Sequence, residues 1–166
     1  MFKDYDQKVS QNDLYALIRA GEHGEQDFKY RISDARKIAR TLSAFANTTG
    51  GRLLVGVRDN GSIAGVKDED DIYMLESASE IFLKPALKLE VWAHEIEGKN
   101  VWEIEISEGK EKPYQVDEID GLKAYYRDND QNFVANAVLK EVWKQDRLKE
   151  SKHPVAFTEK EQRLIQ

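Results

Sequence analysis

The run AFANTTGGRLLVGVRDNG, Ala44 to Gly61, constrains the fold of this chain more than any other stretch. Just upstream, Ala35, Ile38, Ala39, Leu42, Phe45 and Ala46 recur at spacings of three and four, the apolar stripe of an amphipathic helix that Ser33 can cap. Arg36, Lys37 and Arg40 lie off that stripe. The helix should stop between Asn47 and Gly51, because adjacent glycines permit the left-handed backbone of a C-terminal cap. LLVGV then reads as a buried strand, and Asp59-Asn60-Gly61 as the tight turn of a hairpin whose return strand would cover residues 62–66. Thr48, Thr49, Gly50 and Gly51 do not form a phosphate loop for ATP: the order here is helix, loop, strand, whereas phosphate loops run from strand into helix.

The flanking segments extend the same logic. Asn12 or Asp13 can cap a short helix carrying Leu14, Leu17 and Ile18, and Gly21 is placed to end it. From Glu25 onward, alternation puts Gln26, Phe28 and Tyr30 on a core face and Glu25, Asp27, Lys29 and Arg31 on the other. Ile72, Leu75, Ala78, Ser79 and Phe82 mark a helix that ends before Pro85. Residues 87–96 and 101–106 form a second hairpin about EGKN, with Trp92 and His94 opposite Leu89, Val91 and Ala93, so that one of these faces could cover a partner chain in a homo-oligomer.

A strand near residues 124–127 follows an irregular stretch, and a last helix over about 132–148 should bury Val134, Val138 and Val142 with Leu139 and Trp143. KESKHPVAF reads as a linker, after which Thr158 and Glu161 make a capping box that opens another helix. The expected organisation is one domain over residues 1–148, then a linker and the start of a C-terminal helix over 149–166, leading on into a longer polypeptide. Its class is α+β: a mixed, mostly antiparallel sheet with helices packed on it.

Composition narrows the chemistry. The sequence has no cysteine and three scattered histidines, so a bound metal would sit among oxygen ligands, which suits magnesium, manganese or calcium. No apolar run approaches the roughly 18 residues of a membrane span, and the N-terminus lacks the apolar core of a signal peptide, making the cytoplasm the default location. A formal charge of -6 argues against wholesale coating of a nucleic-acid backbone but leaves room for a local basic patch. Lys29, Arg31, Arg36, Lys37 and Arg40 are the candidates for such a patch; Glu22, Glu25, Asp27 and His23 form an acidic cluster beside it.

In order, LYALIRAGEHGEQDFKYR, TLSAFANTTGGRLLVGVRDNGSIAGV, EKPYQV and AYYR make residues 14–143 resemble the Schlafen-type AlbA-like domain. The resemblance implies an α+β domain that binds nucleic acid, DNA or RNA, in a transcription-regulator-like role. It carries Glu22 and Asp27 over as the first two acids of a metal-dependent endoribonuclease site, with Asp27 one methylene shorter than the usual glutamate. The third acid would follow the GV of the buried strand, where either Asp59 or Arg58 is the equivalent. With Asp59, the three carboxylates could hold a Mg or Mn ion that polarises a phosphodiester and activates water. Lys112 with Pro113 and Tyr114, and Arg127 on the last strand, match the family as further cleft residues, although Asp128-Asn129 stands where a Gly-Ser pair is usual. A non-catalytic nucleotide-sensing or interaction module is the remaining reading, and a winged or helix-turn-helix element could follow in the full protein.

Overall fold

The computed structural model describes Phe2 and residues 11–156. The capping box at Thr158 and Glu161 lies outside the described residues. The chain order is α1 (Gln11–Arg19), β1 (Gln26–Lys29), α2 (Ala35–Asn47), β2 (Gly51–Val55), α3 (Asp71–Glu80), β3 (Leu83–Lys84), β4 (Glu90–Ile96), β5 (Lys99–Ile106), β6 (Gln115–Glu118), β7 (Gly121–Asp128), β8 (Gln131–Val134) and α4 (Ala137–Ala156). The fold is α+β.

Two four-stranded sheets form instead of one: β1-β2-β5-β4 and β3-β6-β7-β8. Among the named strands only β1 and β2 run parallel, and Phe2 adds an isolated parallel bridge to Val91 of β4. Helix α2 lies between the sheets. Its Ile38, Leu42 and Phe45 share one core with Leu53, Val55 and Ile104 of the first sheet and Val116 and Tyr125 of the second. On the opposite face of the first sheet, Leu14 and Ile18 of α1 pack with Phe28, Leu54, Ile96 and Val101. The first sheet is therefore covered on both faces.

Local chemistry explains the ends of α2. Asp34, not Ser33, is the N-cap: its backbone is extended and its carboxylate accepts from the N–H groups of Arg36 (3.0 Å) and Lys37 (3.4 Å). At the other end Gly50, at φ +76°, donates to Phe45 O (2.8 Å), and a Cβ on Gly51 would sit 2.5 Å from the Phe45 ring. The glycine pair is a helix stop set by close packing.

Several boundaries differ from the sequence reading. Helix α1 already begins at Gln11, so Asn12 and Asp13 lie within its first turn. The Asn60-Gly61 turn forms, with Gly61 N–H donating to Arg58 O (2.8 Å), but the return strand shrinks to a single bridge between Val57 and Ile63. Gly56 and Gly65, both at positive φ, bend the chain away. The irregular stretch expected between residues 106 and 124 contains β6, and the short β3 follows α3 where the helix was expected to run on to Phe82. Residues 131–134 are strand β8, not helix, because a two-residue turn at Asn129-Asp130 folds them back on β7; Asn129 takes φ +53°, which asparagine tolerates. Helix α4 continues past Leu148 to Ala156. Val134, Val138 and Val142 are exposed, Val138 at 73%, since no described element covers them. Trp92 and His94 are buried, and so are Leu89 and Val91 opposite them, so β4 offers no broad apolar face to a partner. No helix among the described residues is long and apolar enough to cross a membrane.

Candidate functional site

A cleft of about 800 Å³ opens where β1, the start of α2, the Arg58–Gly61 turn and the β7–β8 turn meet. Glu22, Asp27 and Asp59 line it together with Lys29, Arg31, Lys37 and Arg127. Seven of the residues singled out in the sequence thus meet at one place. Asp59, not Arg58, turns toward Glu22. Tyr30, Ser33, Asp130 and Asn132 also line the cleft; alternation along the strand predicts a core position for Tyr30, yet it is 41% exposed. The β1 strand ends at Lys29, so the alternation that would carry Tyr30 inward stops one residue too soon.

The remaining candidates point elsewhere. Arg36 donates to Asp117 O (3.0 Å) and lies 4.7 Å over the Phe82 ring, while Arg40 pairs with Glu118 (3.1 Å). Both cations brace α2 against β6. Lys112 pairs with Glu108 (2.8 Å) beside α4, and Tyr114 is core, so this segment does not line the same cleft. His23 is exposed and accepts from Glu25 N–H through Nδ1 (3.1 Å), a local turn contact.

Asp27 stands on the face assigned to solvent and is only 3% exposed. Its register partner is Leu53, whose side chain belongs to the core shared with α2, and Arg127 reaches across from β7 to cover it. Arg127 Nη2 donates to Asp27 Oδ1 (3.1 Å), His23 O (3.1 Å) and Gln26 O (3.1 Å). Its Nε bonds Asn129 O (3.1 Å), its Nη1 bonds Asn132 Oδ1 (2.8 Å), and its guanidinium lies 4.9 Å over the Phe45 ring. With a side chain 1% exposed, Arg127 is the floor of the cleft and presents no free cation. The second oxygen of Asp27 lies 2.9 Å from Lys29 Nζ, an ion pair without hydrogen-bond alignment.

Glu22 titrates unusually. Burial first, then hydrogen bonding with Asp27 and the charges of Asp27 and Asp59, raise its pKa from 4.5 to about 7. The crowding does not amount to a chelating set: among the described residues no group of three His, Asp or Glu is placed to hold a metal ion. The two oxygens of Asp27 face Arg127 and Lys29, so an ion would have to compete with cations that the fold already supplies. The donor set does not fit the divalent ion that the resemblance implies.

A raised carboxylate pKa favours the folded state at low pH, where Glu22 is protonated. As pH climbs from about 4.5 toward 7, the unfolded chain gives up its proton first and stability falls. Glu22→Gln should remove that slope. At pH 8 the variant is expected to be more stable by about 1 kcal/mol, discounted for the partly solvated carboxylate, or roughly 3 °C in Tm. At pH 4.5 the two proteins should melt together. Equal offsets at both pH values in scanning calorimetry would show that Glu22 is not the titrating group.

The comparisons with known proteins fall on this same unit. A family model described as Schlafen, AlbA_2 matches residues 22–136, from the first acid of the cleft to the end of the second sheet. The chain belongs to the Schlafen AlbA_2 family. No curated protein matches it. Among solved structures, the DIP2311 protein of Corynebacterium diphtheriae superposes with a TM-score of 0.58 at 18% identity, covering 82% of this chain and 28% of that one. The chain thus spans less than a third of that protein, and the likeness shows the fold. The N-terminal domain of a Nitrosomonas europaea protein, named for its relation to the ATP-dependent DNA helicase RecG, has a TM-score of 0.52 at 25% identity, covering 78% of this chain and 97% of that domain. The Schlafen AlbA_2 fold is thus shared with a separately determined domain of nearly the same extent.

Proposed function

We propose that this Schlafen AlbA_2 domain binds nucleic acid along the rim of the cleft, holding phosphates rather than cutting them. One observation carries the reading. Arg31, Lys37 and Arg58 stand at or beside the cleft with no carboxylate in ion-pair distance among the described residues, whereas Lys29 and Arg127 of the same cleft are paired with Asp27. In a chain of net charge -6, these three cations offer phosphates a place at the rim, beside the carboxylates of Glu22, Asp27, Asp59 and Asp130 that line the same cleft. The name of the Nitrosomonas europaea neighbour, a relative of a DNA helicase, agrees in ligand class. Backbone contacts of this kind position a polynucleotide without reading its sequence, so a regulatory role at defined sequences would need additional contacts to base edges.

A fluorescence anisotropy titration at several salt concentrations tests this. Three phosphate contacts on a single strand predict a log–log salt slope of about -2, and Lys37→Ala should flatten it by about 0.7. Absence of binding at low salt would leave the interaction or nucleotide-sensing reading in its place. Cleavage that requires manganese and disappears in Asp27→Asn would instead restore the nuclease reading.

A further inference from the structure

Tyr30 is the one large aromatic side chain on the lining of the cleft that is exposed. Two guanidiniums flank its ring: Arg31 Cζ lies 5.5 Å from the centroid and Arg58 Cζ 5.3 Å. Both lie over the ring within cation–π range, while the residue keeps 41% exposure. A partly exposed aromatic ring and two guanidiniums with no carboxylate in ion-pair distance among the described residues thus form one cluster at the cleft. A base can stack there by taking the place of a guanidinium that turns to its phosphate. Arg31 comes from the segment leading into α2 and Arg58 from the turn after β2, so the arrangement is built by tertiary structure and not by one loop.

We propose that this is a base-stacking site, and that the nucleic acid taken by the cleft is single-stranded, with one unpaired base lying on Tyr30 and its neighbouring phosphates on Arg31 and Arg58. The inference rests on the nucleic-acid reading above and sharpens it. A base inside a duplex has both faces occupied by its neighbours and cannot stack on a protein ring without leaving the helix. A cleft of about 800 Å³ has room for a few nucleotides of a single strand. Base–aromatic stacking tolerates every base, because each has a π-face, and a guanidinium beside the ring adds cation–π attraction. Lys37, exposed on the first turn of α2, is placed to meet a further phosphate along the strand. Both DNA and RNA strands share this chemistry.

The test uses the full chain and four labelled ligands of equal length: oligo(dT), oligo(rU), a duplex, and an abasic strand that keeps the phosphates but lacks the central bases. Oligo(dT) and oligo(rU) are expected to bind at least tenfold more tightly than the abasic strand and more tightly than the duplex. Tyr30→Ala should lose about tenfold on the single strands, keep the affinity for the abasic strand, and leave the salt slope unchanged because no phosphate contact is removed. Tyr30→Trp should retain binding, which separates stacking from folding. Duplex affinity equal to or above that of the single strands, or Tyr30→Ala within twofold of the parent on oligo(dT), overturns the proposal while leaving salt-dependent binding standing. Failure of all four ligands to bind overturns both.

Discussion

Arg127→Met should destabilise the domain by about 3–5 kcal/mol, a drop in Tm of roughly 10 °C. The substitution keeps an apolar stem against Phe45 and removes the guanidinium that bonds Asp27, His23, Gln26, Asn129 and Asn132. Asp27 would then be a buried carboxylate with Glu22 beside it and Lys29 as its remaining ion-pair partner among the described residues, and the Asn129 carbonyl would lose its donor. The cost lies mainly in that stranded charge, so Asp27→Asn added to Arg127→Met should recover part of the loss. Thermal melts of the parent, both single variants and the double variant close the cycle. A change below about 2 °C for Arg127→Met, or a double variant no better than Arg127→Met alone, would show that the pair does not hold the cleft floor.

The second large effect belongs to Asn47, at the end of α2. Its Nδ2 donates to Tyr114 O (2.9 Å), Tyr125 O (2.9 Å) and Ser43 Oγ (3.2 Å), and its Oδ1 accepts from Tyr114 N–H (2.7 Å). Ser43 completes the bridge, accepting from Tyr125 N–H (3.0 Å) and donating to Tyr114 O (2.7 Å). Two polar side chains on one helix thereby tie α2 to the chain entering β6 and to β7, inside a core from which water is excluded. Asn47→Ala strands the Tyr114 N–H and leaves the Tyr125 carbonyl without its donor, at an expected cost of about 3 kcal/mol. Urea unfolding reads the loss, and amide exchange at Tyr114 should accelerate in the variant. A loss below 1 kcal/mol with unchanged exchange would place the attachment of the second sheet elsewhere.

Asn47 also shows what kind of residue sequence inspection passes over. It was assigned to a helix exit among small residues, which is correct locally, yet its partners lie 67 and 78 positions away. Asp27 is the same case from the opposite side. Alternation along β1 rightly separated Phe28 from Asp27, but a period of two says only which side chains share a face. Whether that face is wet depends on what lies across it, and here Arg127 of β7 covers it. The stripe on α4 is the converse: Val138 and Val142 have core spacing, and no described element packs on them.

The cleft was legible in part. The sequence singles out Glu22, Asp27 and Asp59, along with Lys29, Arg31, Lys37 and Arg127, and all seven line it. Their relations were not legible. Arg127 supplies the counter-charge to Asp27 instead of a contact for a ligand, and Arg58, weighed only as a substitute for an acid, stands beside Tyr30. A signal for Tyr30 did exist, since the aromatic sits between Lys29 and Arg31 in sequence.

By itself the sequence determined the helix-to-strand passage through Gly50 and Gly51, the Asn60-Gly61 turn, the β4–β5 hairpin and the α+β class, because each depends on backbone freedom and side-chain period over a few neighbouring residues. Only the tertiary structure decided that there are two sheets with α2 between them, that Asp27 is buried against Arg127, and that Tyr30 is left facing the cleft. Those outcomes turn on which surfaces meet across long stretches of chain, and burial, charge compensation and accessibility exist only once they have met.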